Sequence, residues 1–193
     1  MRYASGGFEG REDQVLLILG DGARDEKVVS YVAPRFNGTK CSITSIRLPS
    51  PDMPRKTGLN ALESLILLLD KFKVKRALFL IDKEHVPSID DVKNWLIGHG
   101  CSVEERMKTS EALILNLTRG AKETVLYVAI AGREKRIEED IESLAQQIYG
   151  QAAPKQAHRK IKKLVEKASI SQISKAFKGL STVLKALERE CSI

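Results

Sequence analysis

Two short apolar runs constrain the fold more than any other feature of the chain: Val15-Leu16-Leu17-Ile18-Leu19 and Ala77-Leu78-Phe79-Leu80-Ile81. Each is too short for an ordinary helix and apolar at every position, the pattern of a strand covered on both faces. Both end abruptly in acids. The first runs into Gly20-Asp21-Gly22 and then Asp25-Glu26, the second into Asp82-Lys83-Glu84-His85. Buried strands of this kind are parallel and joined by crossover helices, and the intervening sequence has the helical period.

Between and beyond the two runs the chain alternates. Residues 24–36 place Val28, Val29 and Val32 on one helical face, and 58–73 do the same with Leu62, Leu65, Ile66, Leu69 and Phe72. A strand is expected over 41–48, and three prolines within Pro49–Pro54 make the next segment a loop. Ser88 is placed to cap a helix carrying Val92, Trp95 and Leu96, which stops at His99-Gly100. Strands then follow over 101–106, 112–117 and 124–131, the last two joined by a turn short enough for a hairpin, which makes that end of the sheet mixed. A charged helix over 134–149 completes an α/β, Rossmann-like three-layer domain with a mostly parallel sheet, spanning 14–150. Residues 1–13 read as a flexible lead-in and 151–193 as a basic helical extension with helices over 156–168 and 173–190.

The formal charge of +7 is confined to that extension, where ten Lys or Arg face three Glu; the first 150 residues carry 22 of each sign. Such asymmetry points to a polyanionic partner, nucleic acid before an acidic protein or a membrane surface, with Arg159, Lys160, Lys162 and Lys163 as its densest part. A solvated lysine-rich helix face has the same composition. No apolar run approaches the roughly 20 residues of a membrane span, and the N-terminus lacks the apolar block of a secretory leader, so a cytoplasmic protein is expected. Cys41, Cys101 and Cys191 have no metal-ligand spacing and read as reduced thiols.

In open α/β sheets ligands bind beyond the carboxyl ends of the strands, where both acidic turns fall. Neither a P-loop nor a complete Gly-x-Gly-x-x-Gly follows the first strand, and acids there repel phosphate unless a cation intervenes. Converging carboxylates suit a hard divalent cation, Mg2+ or Mn2+, which in turn meets phosphate oxygens. The alternative role for the same acids is helix capping and first-turn charge. Asp21, Asp82 and Glu84 are the candidate catalytic and metal-ligating residues, with Asp25 or Glu26 assisting. Arg24 and Lys83 flank them, and Arg55-Lys56 close the proline loop; these are candidate nucleic-acid contacts along with the four basic residues of the extension. His85 stands beside the cluster, although a lone turn histidine is commonly just solvated.

An acid and glycine after the first strand, here Asp21-Gly22, with Asp82-Lys83-Glu84 after the third, resembles the Toprim domain. That domain is shared by type IA and type II topoisomerases, bacterial primases and the overcoming-lysogenization-defect class of nucleases, and the small and nuclease-like variants are the nearest in pattern. The resemblance covers roughly the first 110 residues and implies a metal-dependent nucleic-acid-binding protein, with hydrolysis of phosphodiester bonds as the implied reaction. The family usually has Glu at the position of Asp21 and Asp at that of Glu84, so each carboxylate reach differs by about one methylene, ~1.5 Å. A non-enzymatic interaction module is the second expectation. It rests on the stripe Ile173, Phe177, Leu180, Leu184 and Leu187, suited to packing on the core, on a partner or on a second copy.

Overall fold

The computed structural model describes residues 1–36, 45–150 and 156–190. Seven strands form one sheet: β1 (Arg2–Tyr3), β2 (Gln14–Leu19), β3 (Ser45–Arg47), β4 (Arg76–Asp82), β5 (Ser102–Lys108), β6 (Ala112–Arg119) and β7 (Lys122–Ala131). Their spatial order is β1-β3-β2-β4-β7-β6-β5. The first five in that order are parallel, and β6 and β5 add antiparallel strands at one edge. The sheet is thus mostly parallel and mixed at the hairpin end. Of the strand expected over 41–48, residues 45–47 are extended and 41–44 lie outside the described residues.

Because side chains alternate across a strand, both faces of the central strands need a cover. Val15 and Leu17 of β2, Leu78 and Leu80 of β4, and Tyr127 and Ala129 of β7 belong to one buried cluster. Leu16 and Ile18, Phe79 and Ile81, and Val128 and Ile130 belong to the other. The second face is covered by α2 (Glu63–Lys71), the 3-10 turn Gly58–Leu62 before it, and α3 (Asp90–Gly98). At the start of α3 the Ser88 hydroxyl accepts from the Asp90 amide and the Asp91 carboxylate accepts from the Ser88 amide, a reciprocal cap.

The first face is covered by α1 (Ala23–Val32), α4 (Ile137–Tyr149) and the three tail helices α5 (Ile161–Lys167), α6 (Ile170–Ala176) and α7 (Lys178–Glu190). The stripe Ile173, Phe177, Leu180, Leu184 and Leu187 is fully buried in the same cluster as the sheet. The helix expected from 173 to 190 is interrupted at Phe177, which leaves helical geometry, and α7 turns to lie against β7 and β6. The crossing is close: a methyl group on Gly179 would lie 2.6 Å from the Ile130 carbonyl oxygen. The N-terminus likewise differs from a flexible lead-in. Arg2–Tyr3 pairs in parallel with β3, and Met1 and Phe8 are buried.

No described helix is long and apolar enough to cross a membrane.

Candidate metal centre

β2 and β4 are hydrogen-bonded neighbours in parallel register, Leu19 opposite Leu80, so their carboxyl ends deliver the two acidic turns side by side. Gly20 makes the approach possible. A Cβ at that position would sit 2.7 Å from the Ile81 side chain, while the Gly20 amide donates to the Leu80 carbonyl and extends the ladder by one residue. Asp21, Glu84 and His85 then each offer a ligand atom, all within 4.8 Å of one another. The imidazole of His85 lies 3.9 Å from the Glu84 carboxylate.

Asp82 stands behind this group. As the last residue of β4 it keeps the facing of Leu78 and Leu80, toward α1 and α4, and is only 1% exposed. Its Oδ1 accepts from the Ile137 amide at the start of α4, 3.0 Å away, and its Oδ2 has no hydrogen-bond partner among the described residues. Burial pushes its pKa up to about 6, the Ile137 amide opposes that, and the charges of Asp21 and Glu84 raise it further. Asp25 is also 1% exposed with an unpartnered Oδ2, and burial, reinforced by the negative charges of Asp82 and Asp21, holds its pKa at about 8.

Asp25 and Glu26 face different groups. Asp25 faces the acids, whereas Glu26 accepts a 2.6 Å hydrogen bond from the Tyr3 hydroxyl, whose pKa rises through burial and that bond. Three features of the site lie in the turn after β7 and had no signal in the acidic motifs. The guanidinium of Arg136 donates to Glu84 at 2.6 Å, the Ile137 amide fixes Asp82, and Glu138 pairs with Arg24 across the starts of α4 and α1. A further bond, from the Glu84 amide to the Lys135 carbonyl at 2.9 Å, ties the two turns together. The turn is tight because Gly132 has φ +81° and a Cβ there would lie 2.5 Å from the Arg136 amide nitrogen.

The remaining candidates divide. Arg24 is occupied by Glu138, and the Lys83 ammonium donates to the Pro87 carbonyl. Arg55 and Lys56 line a cleft that Asp21 also lines, with Lys56 paired to Glu63 at 2.5 Å. Arg159, Lys160, Lys162 and Lys163 are exposed but are not brought to the acids. The neighbouring part of the tail is anchored elsewhere, Arg35 donating to the carbonyls of Val165 and Ala168 and Lys167 to the Tyr149 hydroxyl. Those anchors are at the C-terminal ends of the α1 segment and α4, whereas the acids meet the N-terminal ends. On the far edge strand, Glu105 pairs with Lys93 and Glu104 accepts from Asn116.

The donor set is carboxylate oxygen plus one imidazole, of a kind that a hard divalent cation accepts, and Asp82 keeps a buried oxygen without a hydrogen-bond partner among the described residues. Helix capping accounts for one oxygen of Asp82 only. No family model matches the chain, and no curated protein or solved structure matches it.

Proposed function

We propose that the chain binds Mg2+ or Mn2+ at Asp21, Glu84 and His85, backed by Asp82 and Asp25, and acts on nucleic acid in the manner of a Toprim-type metal-dependent nuclease. The observation that carries this reading is the pairing of a clustered, accessible ligand set with two fully buried carboxylates whose outer oxygens are unpartnered. Structural acids at helix starts are normally satisfied, and leaving such oxygens unpaired costs stability that a cation would restore.

A divalent cation bound here would supply polarisation of a phosphoryl oxygen and a more acidic water. The chain's own residues do the rest. Asp21, Glu84 and His85 each offer one ligand atom to the accessible group, and the Ile137 amide fixes Asp82 behind it. Arg136, exposed and bonded to Glu84, is placed to meet a phosphate oxygen entering from solvent. The apolar stripe that motivated the interaction-module reading belongs to the same buried cluster as the sheet, while the basic residues of the tail stay exposed to a partner.

Thermal melting with and without Mn2+ tests the proposal. At about 100 times the dissociation constant, binding adds ~2.7 kcal/mol, which for a domain of this size raises Tm by about 5–10 °C. Asp21→Asn, an exposed position, should abolish that rise while leaving the metal-free Tm nearly unchanged. An equal rise in both proteins would sink the assignment.

A further inference from the structure

Beside the acidic group lies a cleft roofed by the proline-rich loop after β3. Leu48, Met53 and Pro54 give it an apolar wall, Arg55 and Lys56 a cationic rim, and Asp21 is common to the cleft and the acidic group. The roof is anchored at both sides. Phe8 donates its amide to the Leu48 carbonyl at 2.8 Å, and the Gly58 amide donates to the Gly20 carbonyl at 2.5 Å, next to Asp21. Gly58 also lies against His85, so the loop returns to the acidic group at its end.

We infer that this cleft is the subsite for a single nucleoside monophosphate, whether free or as the terminal nucleotide of a strand, its phosphate directed to the Asp21 end. The inference rests on the metal-binding reading and deepens it by naming the substrate unit. The chemistry matches part for part. The apolar wall suits the face of a base, which buries apolar area there, and Ser50 and Ser64, which also line the cleft, can meet its polar edge. Arg55 at the rim, with Lys56 beside it paired to Glu63, suits a phosphate, and a divalent ion at Asp21 would remove the repulsion that this carboxylate otherwise exerts on it. Glu26 also lines the cleft; its second carboxylate oxygen, beyond the one taken by Tyr3, can accept from a ribose hydroxyl.

Gly22 permits a direct test. It lines the cleft, its φ of −148° is open to any residue, and a Cβ there meets nothing within 4 Å, so Gly22→Leu fills the mouth without strain. The binding of Mn2+, and of adenosine 5′-monophosphate and inorganic phosphate in the presence of Mn2+, is measured by calorimetry on the full chain. The wild type should bind the nucleotide about tenfold or more tighter than inorganic phosphate. Gly22→Leu should erase that advantage with Mn2+ affinity unchanged, and Arg55→Glu, at an exposed position, should weaken the nucleotide independently. If Mn2+ binds but the nucleotide binds no tighter than inorganic phosphate, or if both variants retain the advantage, the subsite is overturned. Failure of Mn2+ itself to bind would instead remove the metal reading, and the two failures are read in separate titrations.

Discussion

Two buried acids flank the turn that follows β7, and their surroundings differ in a way that separates a structural carboxylate from one set up for a ligand. Asp140 in α4 accepts from the Gly132 amide at 2.9 Å, is 7% exposed and is held by burial at a pKa of about 7. Asp82 at the end of β4 accepts from the Ile137 amide with similar geometry and is also shifted upward. Both have acidic neighbours, Glu111 and Glu139 in the case of Asp140. Asp140 closes a turn, and the adjacent Arg133 is spent on the Ser143 hydroxyl. Asp82 meets further carboxylates, Asp21 and Asp25, and keeps an oxygen unpartnered. Burial and acidic neighbours are common to both; the unpartnered oxygen is what distinguishes Asp82.

The comparison breaks most readily at the metal. Asp82→Asn should remove most of the Mn2+-induced rise in Tm, whereas Asp140→Asn should leave it intact. In the absence of metal Asp82→Asn should be more stable than the wild type by about 1–3 kcal/mol, since it deletes an uncompensated buried charge and retains a carbonyl acceptor for Ile137. Denaturant unfolding in chelator checks this, and a destabilised Asp82→Asn would make the residue a plain helix cap.

Next in size is the pH response of Asp140. Its folded pKa lies above the ordinary carboxylate value, so the folded protein holds the proton more tightly than the unfolded chain. Its contribution is fully present below about pH 4 and is lost as the pH rises through about 7. Asp140→Asn, with an amide oxygen still able to accept from Gly132, should gain about 1–3 kcal/mol over the wild type between those limits and hold the gain above them. Urea unfolding at pH 4.5 and pH 8 gives the difference directly; a gap that does not widen with pH would contradict it.

Smaller effects sharpen the electrostatics. Arg136 competes for Glu84, so Arg136→Ala should raise Mn2+ affinity about two- to fivefold while lowering affinity for phosphate in the presence of the metal. Smallest at the centre itself should be Lys162→Glu with Lys163→Glu. These exposed positions should leave Mn2+ binding untouched, lower single-stranded DNA affinity a few-fold and flatten its salt dependence by up to about two charges.

Much of the fold was legible because its signals are local. The apolar runs of β2 and β4, the helical periods between them and the turn at residues 120–121 depend on neighbours within a few residues. The pairing of the acidic turns followed from topology, as a parallel sheet places all its strand ends on one edge. What was not legible depends on long-range contact. The Ile137 amide reaches Asp82 across 55 residues, and nothing in the sequence around Asp25-Glu26 says that one faces the acids and the other a tyrosine from the first strand. His85 looked solitary because its partners are carboxylates brought from two strand ends. The apolar stripe of the tail was visible, but its cover was not: a helix period shows which face is buried and leaves open whether the sheet or another molecule buries it.

The central claim is that the ends of β2 and β4 hold one divalent cation. Crystals soaked in Mn2+ and measured near the manganese edge test it without reference to activity. The account predicts one anomalous peak per chain, bonded to oxygens of Asp21 and Glu84 at about 2.0–2.3 Å, with Arg136 displaced from Glu84. A saturating soak that leaves the Glu84–Arg136 pair closed, with no peak between the two strand ends, would contradict it.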